Sequence, residues 1–295
     1  MLQKQVKSVL NKHKKRDDWF LDDYSVNPYE GCSCNCLYCY IRGSKYGENM
    51  EDGLTVKANA LEILEKQLAT RAKKGQYGFV AVGSGTDAYM HQEEKIKMTE
   101  GMLKLLLKYR FPVFISTKRI LIKRDIELLK EIDKAAILPP DLQGKLKRGL
   151  ILSVSVSTLD ERISNMLESG AIPPFQRLQL VKELKQQGFL VGVNAIPLLP
   201  YISDTEEEIE KIIATAKEHL ADYILIGGLT LFGDGKADSK TLFYKFLKRY
   251  DASLLPKYQQ LYGSNFYAPF SYQNKLKKKA QSLCKKYSIR NSILE

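Results

Sequence analysis

Between residues 77 and 226, short apolar runs alternate with amphipathic stretches, and this alternation restricts the chain to few folds. Residues 77–82, 112–116, 150–154, 189–196 and 223–226 read as buried strands. Helical spacing marks residues 97–109, where Met102, Leu105, Leu106 and Tyr109 share a face, and residues 123–133. It marks 175–187 as well, ended by Gly188. Asp204, with Glu207 three residues on, predicts a capping box at the start of a further helix buried through Ile209, Ile212, Ile213 and Ala216. A strand leading into Asn27 and a helix over residues 58–72 complete six βα units.

Strands alternating with helices imply a parallel sheet with right-handed crossovers. Six units are too few to close an eight-stranded barrel. The expected α/β fold is therefore a partial, open (β/α)6 TIM-type barrel of parallel strands with outer helices, its chemistry at the carboxyl ends of the strands. The expected organisation is an N-terminal extension over 1–26, a core barrel over 27–233, and an aromatic-rich, basic C-terminal extension over 234–295 packed on the barrel. With 44% hydrophobic and 27% charged residues, the 295-residue chain is neither disordered nor collagen-like. Its longest apolar stretches, such as residues 195–199, are far too short to span a membrane. The first residues lack the apolar core of a signal peptide, so a cytoplasmic protein is expected.

Five cysteines are present, and four of them (Cys32, Cys34, Cys36 and Cys39) fall within eight positions; the fifth is Cys284. A disulfide framework spreads its cysteines, and the cytosol keeps thiols reduced, so the cluster points to a soft metal or an iron–sulfur centre. Cys32, Cys36 and Cys39 have the spacing C-x3-C-x2-C. Iron–sulfur clusters are usually held by four thiolates, and three leave one iron open to a substrate or cofactor. Cys34 sits too close to both neighbours to share one tetrahedron with them comfortably, and it reads as a bystander. A structural zinc knuckle is the competing reading, and it lacks a good fourth ligand.

The C-x3-C-x2-C run, followed by an aromatic-rich stretch on a parallel α/β pattern, resembles the radical S-adenosylmethionine superfamily. That resemblance implies a 4Fe–4S cluster on Cys32, Cys36 and Cys39 and S-adenosyl-L-methionine chelated at the open iron. It further implies reductive cleavage to a 5′-deoxyadenosyl radical and an electron donor such as flavodoxin or ferredoxin. Asn27-Pro-Tyr, Gly85-Thr-Asp-Ala-Tyr with Glu93, Ser116-Thr-Lys118 with Arg124-Asp125, and residues 153–158 look like the spore photoproduct lyase-like branch, also called DNA repair photolyase-like proteins. On that resemblance, Ser84 and Lys118 contact the methionyl part of the cofactor and Ser155 its ribose. Asn194 points toward the adenine, and Asp87 and Glu93 orient the amine or the substrate. Glu168 and Arg177 pair near the cofactor or staple a loop to a helix. One departure matters: the lyase carries a hydrogen-donor cysteine just before the serine matched by Ser84, and this chain has Gly83 there. One of its 17 tyrosines is an alternative radical quencher.

The formal charge is +12, and residues 271–295 alone carry +6. That excess suits nucleic acid as substrate or partner. It equally suits a solvated helix face, because Leu276, Ala280 and Leu283 recur at helical spacing beneath the lysines. The rival functions are a non-catalytic, metal-containing nucleic-acid-binding protein and a radical enzyme that modifies a protein or peptide.

Overall fold

The computed structural model describes residues 2–47 and 53–294. The chain opens with β1 (Leu2–Lys4), β2 (Asn11–Lys12), β3 (Asp22–Val26), β4 (Tyr29–Glu30) and β5 (Thr55–Lys57). Then come α1 (Ala60–Lys73), β6 (Phe79–Val82), α2 (Glu93–Ile96), α3 (Met98–Lys108) and β7 (Val113–Thr117). A 3-10 turn over Ile120–Asp125 leads into α4 (Ile126–Ala135), followed by β8 (Leu150–Ser155), α5 (Glu161–Leu167) and α6 (Pro174–Gln186). The chain ends with β9 (Leu190–Leu198), α7 (Glu206–Glu218), β10 (Ile224–Gly228), α8 (Ser239–Tyr250), α9 (Leu254–Tyr262) and α10 (Phe270–Lys286).

β3, β6, β7, β8, β9 and β10 lie in one sheet in the order β10-β9-β8-β7-β6-β3, all parallel, with β2 antiparallel on β3. The sheet does not close, so the six-unit open barrel is the fold. The segment expected as an N-terminal extension contains β3, the first barrel strand, and its β1 joins β5 and β4 in a small separate sheet. Strand side chains alternate between two faces. Leu150, Leu152 and Val154 of β8 join the large cluster under the helices, while Ile151 joins Phe79, Phe114, Leu190 and Leu225 on the inner face. One inner layer runs in register through Ala81, Phe114, Ile151 and Leu190. Toward the carboxyl ends the next inner layers are Ser116, Ser153 and Gly192, then Ser155 and Asn194. The barrel interior is thus apolar at one end and polar at the other. The apolar end is plugged by Leu142 and Leu146 of the loop before β8 and by Ile293.

Local chemistry corrects one expectation about the helices and adds a helix that sequence periodicity does not reveal. The cap of α7 is Thr205, whose hydroxyl accepts from the Glu208 N–H at 3.2 Å. Asp204 instead accepts from the Tyr201 N–H at 2.6 Å and from the Tyr272 hydroxyl. The seven-residue α5 is too short to announce itself by periodicity; Asp160 caps it by accepting from the Ile163 N–H at 3.0 Å. At the other end of the chain, α10 buries Leu276, Ala280, Leu283 and Cys284 against the large core, beside β10 and α7. Its lysine-rich segment is therefore a packed helix. Among the described residues, no helix is long and apolar enough to cross a membrane.

Candidate active site

The cysteine segment follows β4 at the carboxyl end of β3 and is almost entirely turns: the Asn35 N–H donates to Cys32 O, Cys39 N–H to Cys36 O, and Arg42 N–H to Cys39 O. Such a segment has no lattice of its own and depends on tertiary partners. From one side, the Asp87 N–H donates to Cys32 Sγ at 3.3 Å, the Ser33 N–H meets Met90 Sδ at 3.0 Å, and the Tyr40 hydroxyl donates to Ser84 O at 2.6 Å. On the other side, the turn after α5 clamps it: Leu37 N–H donates to Leu167 O at 2.8 Å and Gly170 N–H to Cys34 O at 3.1 Å. Gly170 is required there, because a Cβ would collide with the Ser33 carbonyl.

Cys32, Cys36 and Cys39 are partly exposed, whereas Cys34 is buried with its thiol 3.6 Å from Asp87 Oδ2. The Cys34 thiol also hydrogen-bonds to Cys32, which lowers the Cys32 thiol against the opposing effect of burial. Burial pushes Cys36 and Cys39 upward, and the nearby Lys118 ammonium works against that rise. Three soft donors in one loop fit an iron–sulfur centre. Among the described residues, no three His, Cys, Asp or Glu side chains stand close enough together to hold one metal ion. A four-iron cluster gives each thiolate its own iron, so its ligands stand wider apart than those of a single zinc.

Around the loop stand the inner-face residues of the polar end. Ser155 Oγ is 3.0 Å from Ser116 Oγ, and Asn194 Nδ2 donates to Ser116 at 3.4 Å. Asn194 Oδ1 is buried without a hydrogen-bond partner, as is Thr86 Oγ1. A buried acceptor left unpaired is costly, and a bound polar group relieves it. Ser84 is exposed and accepts from Asn27 Nδ2 at 3.1 Å, which ties the end of β3 to the loop after β6. Lys118 at the end of β7 is half-buried and makes no ion pair with a described residue. Below them Tyr223 reaches across β9 to Ser153 Oγ (2.9 Å) and Leu152 O (2.7 Å) of β8, and Gly192 leaves room for its ring.

Asp87 and Glu93, expected to orient the cofactor amine or the substrate, have their carboxylates engaged within the protein. Asp87 accepts from the Lys118 N–H (2.7 Å), the Thr117 hydroxyl (2.8 Å) and the Tyr89 N–H (2.8 Å), so its carboxylate pins the β6 loop to the end of β7. Glu93 is 0% exposed. Its carboxylate is taken by the Tyr29 hydroxyl, the Thr99 and Glu100 N–H groups and Arg124 (3.0 Å). Arg177 is also enclosed, pairing with Glu168 at 2.5 Å and donating to Ser155 O at 3.1 Å and Ile172 O at 2.6 Å. The stapling alternative describes it. Burial raises the Glu168 carboxyl and Arg177 opposes the rise. Glu168 in turn accepts from the Tyr38 hydroxyl, which also meets Ser157 Oγ at 2.9 Å. Sequence reasoning missed Tyr38; its only signal was an aromatic residue inside the C-x2-C spacing.

The radical SAM superfamily model matches residues 26–216. The chain belongs to the radical SAM superfamily. Radical SAM proteins of this kind are enzymes, and their cofactors are a 4Fe–4S cluster and S-adenosylmethionine. An uncharacterized protein of Mycobacterium tuberculosis is 28% identical over 272 residues, 90% of this chain and 75% of that protein. A radical SAM Nalpha-GlyT isomerase of a Pseudomonas phage is 22% identical across 68% of this chain and 39% of the isomerase. Among solved structures, a spore photoproduct lyase mutant with bound AdoMet and dinucleoside spore photoproduct superposes with a TM-score of 0.62. That match has 13% identity and covers 92% of this chain and 76% of the lyase.

Proposed function

We propose that this radical SAM enzyme holds a 4Fe–4S cluster on Cys32, Cys36 and Cys39, reductively cleaves S-adenosylmethionine there, and uses the resulting 5′-deoxyadenosyl radical to abstract hydrogen from a substrate. The observation that carries the reading is the cysteine loop itself, three partly exposed thiols clamped between the β6 loop and the turn after α5. Lys118 supplies the cation for a carboxylate of the cofactor, by a charge-assisted hydrogen bond. Ser155 offers its hydroxyl to a ribose, and the unpaired Asn194 Oδ1 accepts from an exocyclic amine. Ser84, tied to Asn27, flanks the methionyl end. Asp87, Glu93 and Arg177 act as positioning residues, each holding a loop that carries a contact group. Burial of the interior keeps water away from a reactive intermediate.

The net charge of +12 and the likeness to a lyase solved with a dinucleoside support a nucleic-acid substrate over a peptide. The dimer-repair reaction is a different matter. Gly83 has φ +82°, and a Cβ there would lie 2.8 Å from Ala88 N and Thr86 O, so this loop excludes a donor cysteine at that position. Tyr40, whose hydroxyl reaches Ser84 O, is the tyrosine brought to this loop. The reduced thiols suit a cytoplasmic setting. Anaerobic reconstitution followed by dithionite reduction tests the core of the reading. 5′-Deoxyadenosine should form, and with a deuterated substrate it should gain deuterium. A reconstituted protein that binds zinc but neither assembles a cluster nor cleaves the cofactor returns the chain to the non-catalytic alternative.

A further inference from the structure

The activity proposed above requires one electron from outside the chain, and electron transfer falls steeply with distance. A carrier therefore has to sit on a surface close to the cysteine loop. Tyr38 shares one apolar cluster with Phe243, Phe246 and Leu247 of α8, and Cys36 and Leu37 pack against that cluster. The same helix is joined to the loop by polar contacts. Ser239 Oγ donates to Arg42 O at 3.3 Å, and Arg42 Nη1 donates to Ala237 O at 3.5 Å. α8 thus covers one side of the cysteine loop.

The outer face of that helix has one sign of charge. Lys245, Lys248 and Arg249 are exposed at i, i+3 and i+4, and none forms an ion pair with a described residue. Exposed Lys257 on α9 lies on the adjoining helix. α10 is more lysine-rich but not equivalent, since its buried residues belong to the core beside β10 and α7 rather than to the cysteine-loop cluster. Unpaired like charges at one site raise the potential there and steer an oppositely charged partner into register.

We propose that the outer face of α8 is the docking surface for an acidic one-electron carrier protein of the flavodoxin or ferredoxin class. The inference rests on the radical SAM reading of the cysteine loop. In the step, the carrier loses one electron and the cluster gains it; no bond forms or breaks in either protein. The interface is of the small, transient kind, held by charge more than by area.

The test uses full-length protein, a flavodoxin as probe, and the triple variant K245E/K248E/R249E. Binding of oxidised flavodoxin, read by fluorescence anisotropy at low and high salt, should weaken at least tenfold in the variant and lose most of its salt dependence. Cofactor cleavage driven by reduced flavodoxin should fall to a similar degree, while cleavage driven by dithionite stays within twofold of the parent. The control K277E/K278E/K285E on α10 carries the same charge change and should bind like the parent. Equal loss in the control, or unchanged flavodoxin binding in the α8 variant, overturns the proposal. Should the triple variant misfold, K245Q/K248Q must still weaken binding at least threefold for the proposal to stand. Absence of dithionite-driven cleavage in the parent would sink the enzymatic reading instead, and flavodoxin binding would remain measurable on its own.

Discussion

The cysteine loop and α10 are the two segments in which unusual composition is most concentrated, and they are built on opposite physics. Residues 32–40 make only turn bonds among themselves and take their shape from residues 84–90 and 167–170, with Arg42 just beyond them bound to the start of α8. α10 carries its own backbone ladder over seventeen residues and docks by a stripe of Leu276, Ala280, Leu283 and Cys284. A dense patch of reactive side chains thus sits on the least self-sufficient backbone, while a dense patch of charge coats an ordinary amphipathic helix. Metal-binding thiols must converge, which a regular helix or strand does not arrange at this spacing. Lysines need only water, and any helix with a buried opposite face provides it.

The sharpest way to break the comparison is at the ligands. Replacing Cys32, Cys36 and Cys39 together with Ala should abolish iron binding while leaving the melting temperature of the metal-free protein nearly unchanged. Cys34→Ala should retain most of the iron, and equal loss there would overturn the ligand assignment. Truncation after Ser271 should do the reverse, destroying the fold rather than the site. It removes Leu276 and Leu283 and the plug residue Ile293. Each buried Leu or Ile lost costs about 2–5 kcal/mol, against a typical domain stability of about 5–15 kcal/mol. A soluble, folded truncation whose nucleic-acid affinity has lost its salt slope would restore the phosphate-contact role of the tail.

Glu168→Ala should cost about 3–5 kcal/mol, because both members of its pair with Arg177 are 1% exposed and an orphaned buried charge remains. Denaturant melts of the metal-free protein measure it. If Lys118 holds the cofactor carboxylate as proposed, Lys118→Ala should act on the cofactor alone. Loss of one charge-assisted hydrogen bond is worth about 1.5–3 kcal/mol, so S-adenosylmethionine affinity should drop about ten- to a hundredfold with the iron content unchanged. The remaining effect is read from pH and belongs to Asp204, whose carboxyl burial raises from 3.8 to about 6. An acid with a raised folded value stabilises the fold below its unfolded value and loses that contribution as pH rises through the folded one. Stability should therefore decline between pH 3.8 and about 6, and Asp204→Asn should flatten that part of the curve. An identical curve in the variant would assign the slope elsewhere.

What could be read in the residues alone was whatever depends on short spacing. The βα alternation, the C-x3-C-x2-C spacing and the stripe beneath the α10 lysines are local patterns, because strand alternation, helical period and loop length act over a few residues. The open six-strand barrel followed from them, whereas the places given to Ser155 and Asn194 came only from the family resemblance. Tertiary structure decided the rest. Asp87 and Glu93 could not be told apart from ligand-facing carboxylates, because their partners come from Thr117 and Lys118 in one case and from Tyr29 and Arg124 in the other. Thr205 displaced Asp204 as a cap because the Asp204 carboxylate is taken by the Tyr201 N–H and the distant Tyr272 hydroxyl. The short α5 and its Gly170 clamp matter only because the chain returns there to within van der Waals contact of Ser33, 137 residues earlier. Periodicity carries no information about such returns; they are set by which strand ends the barrel brings together.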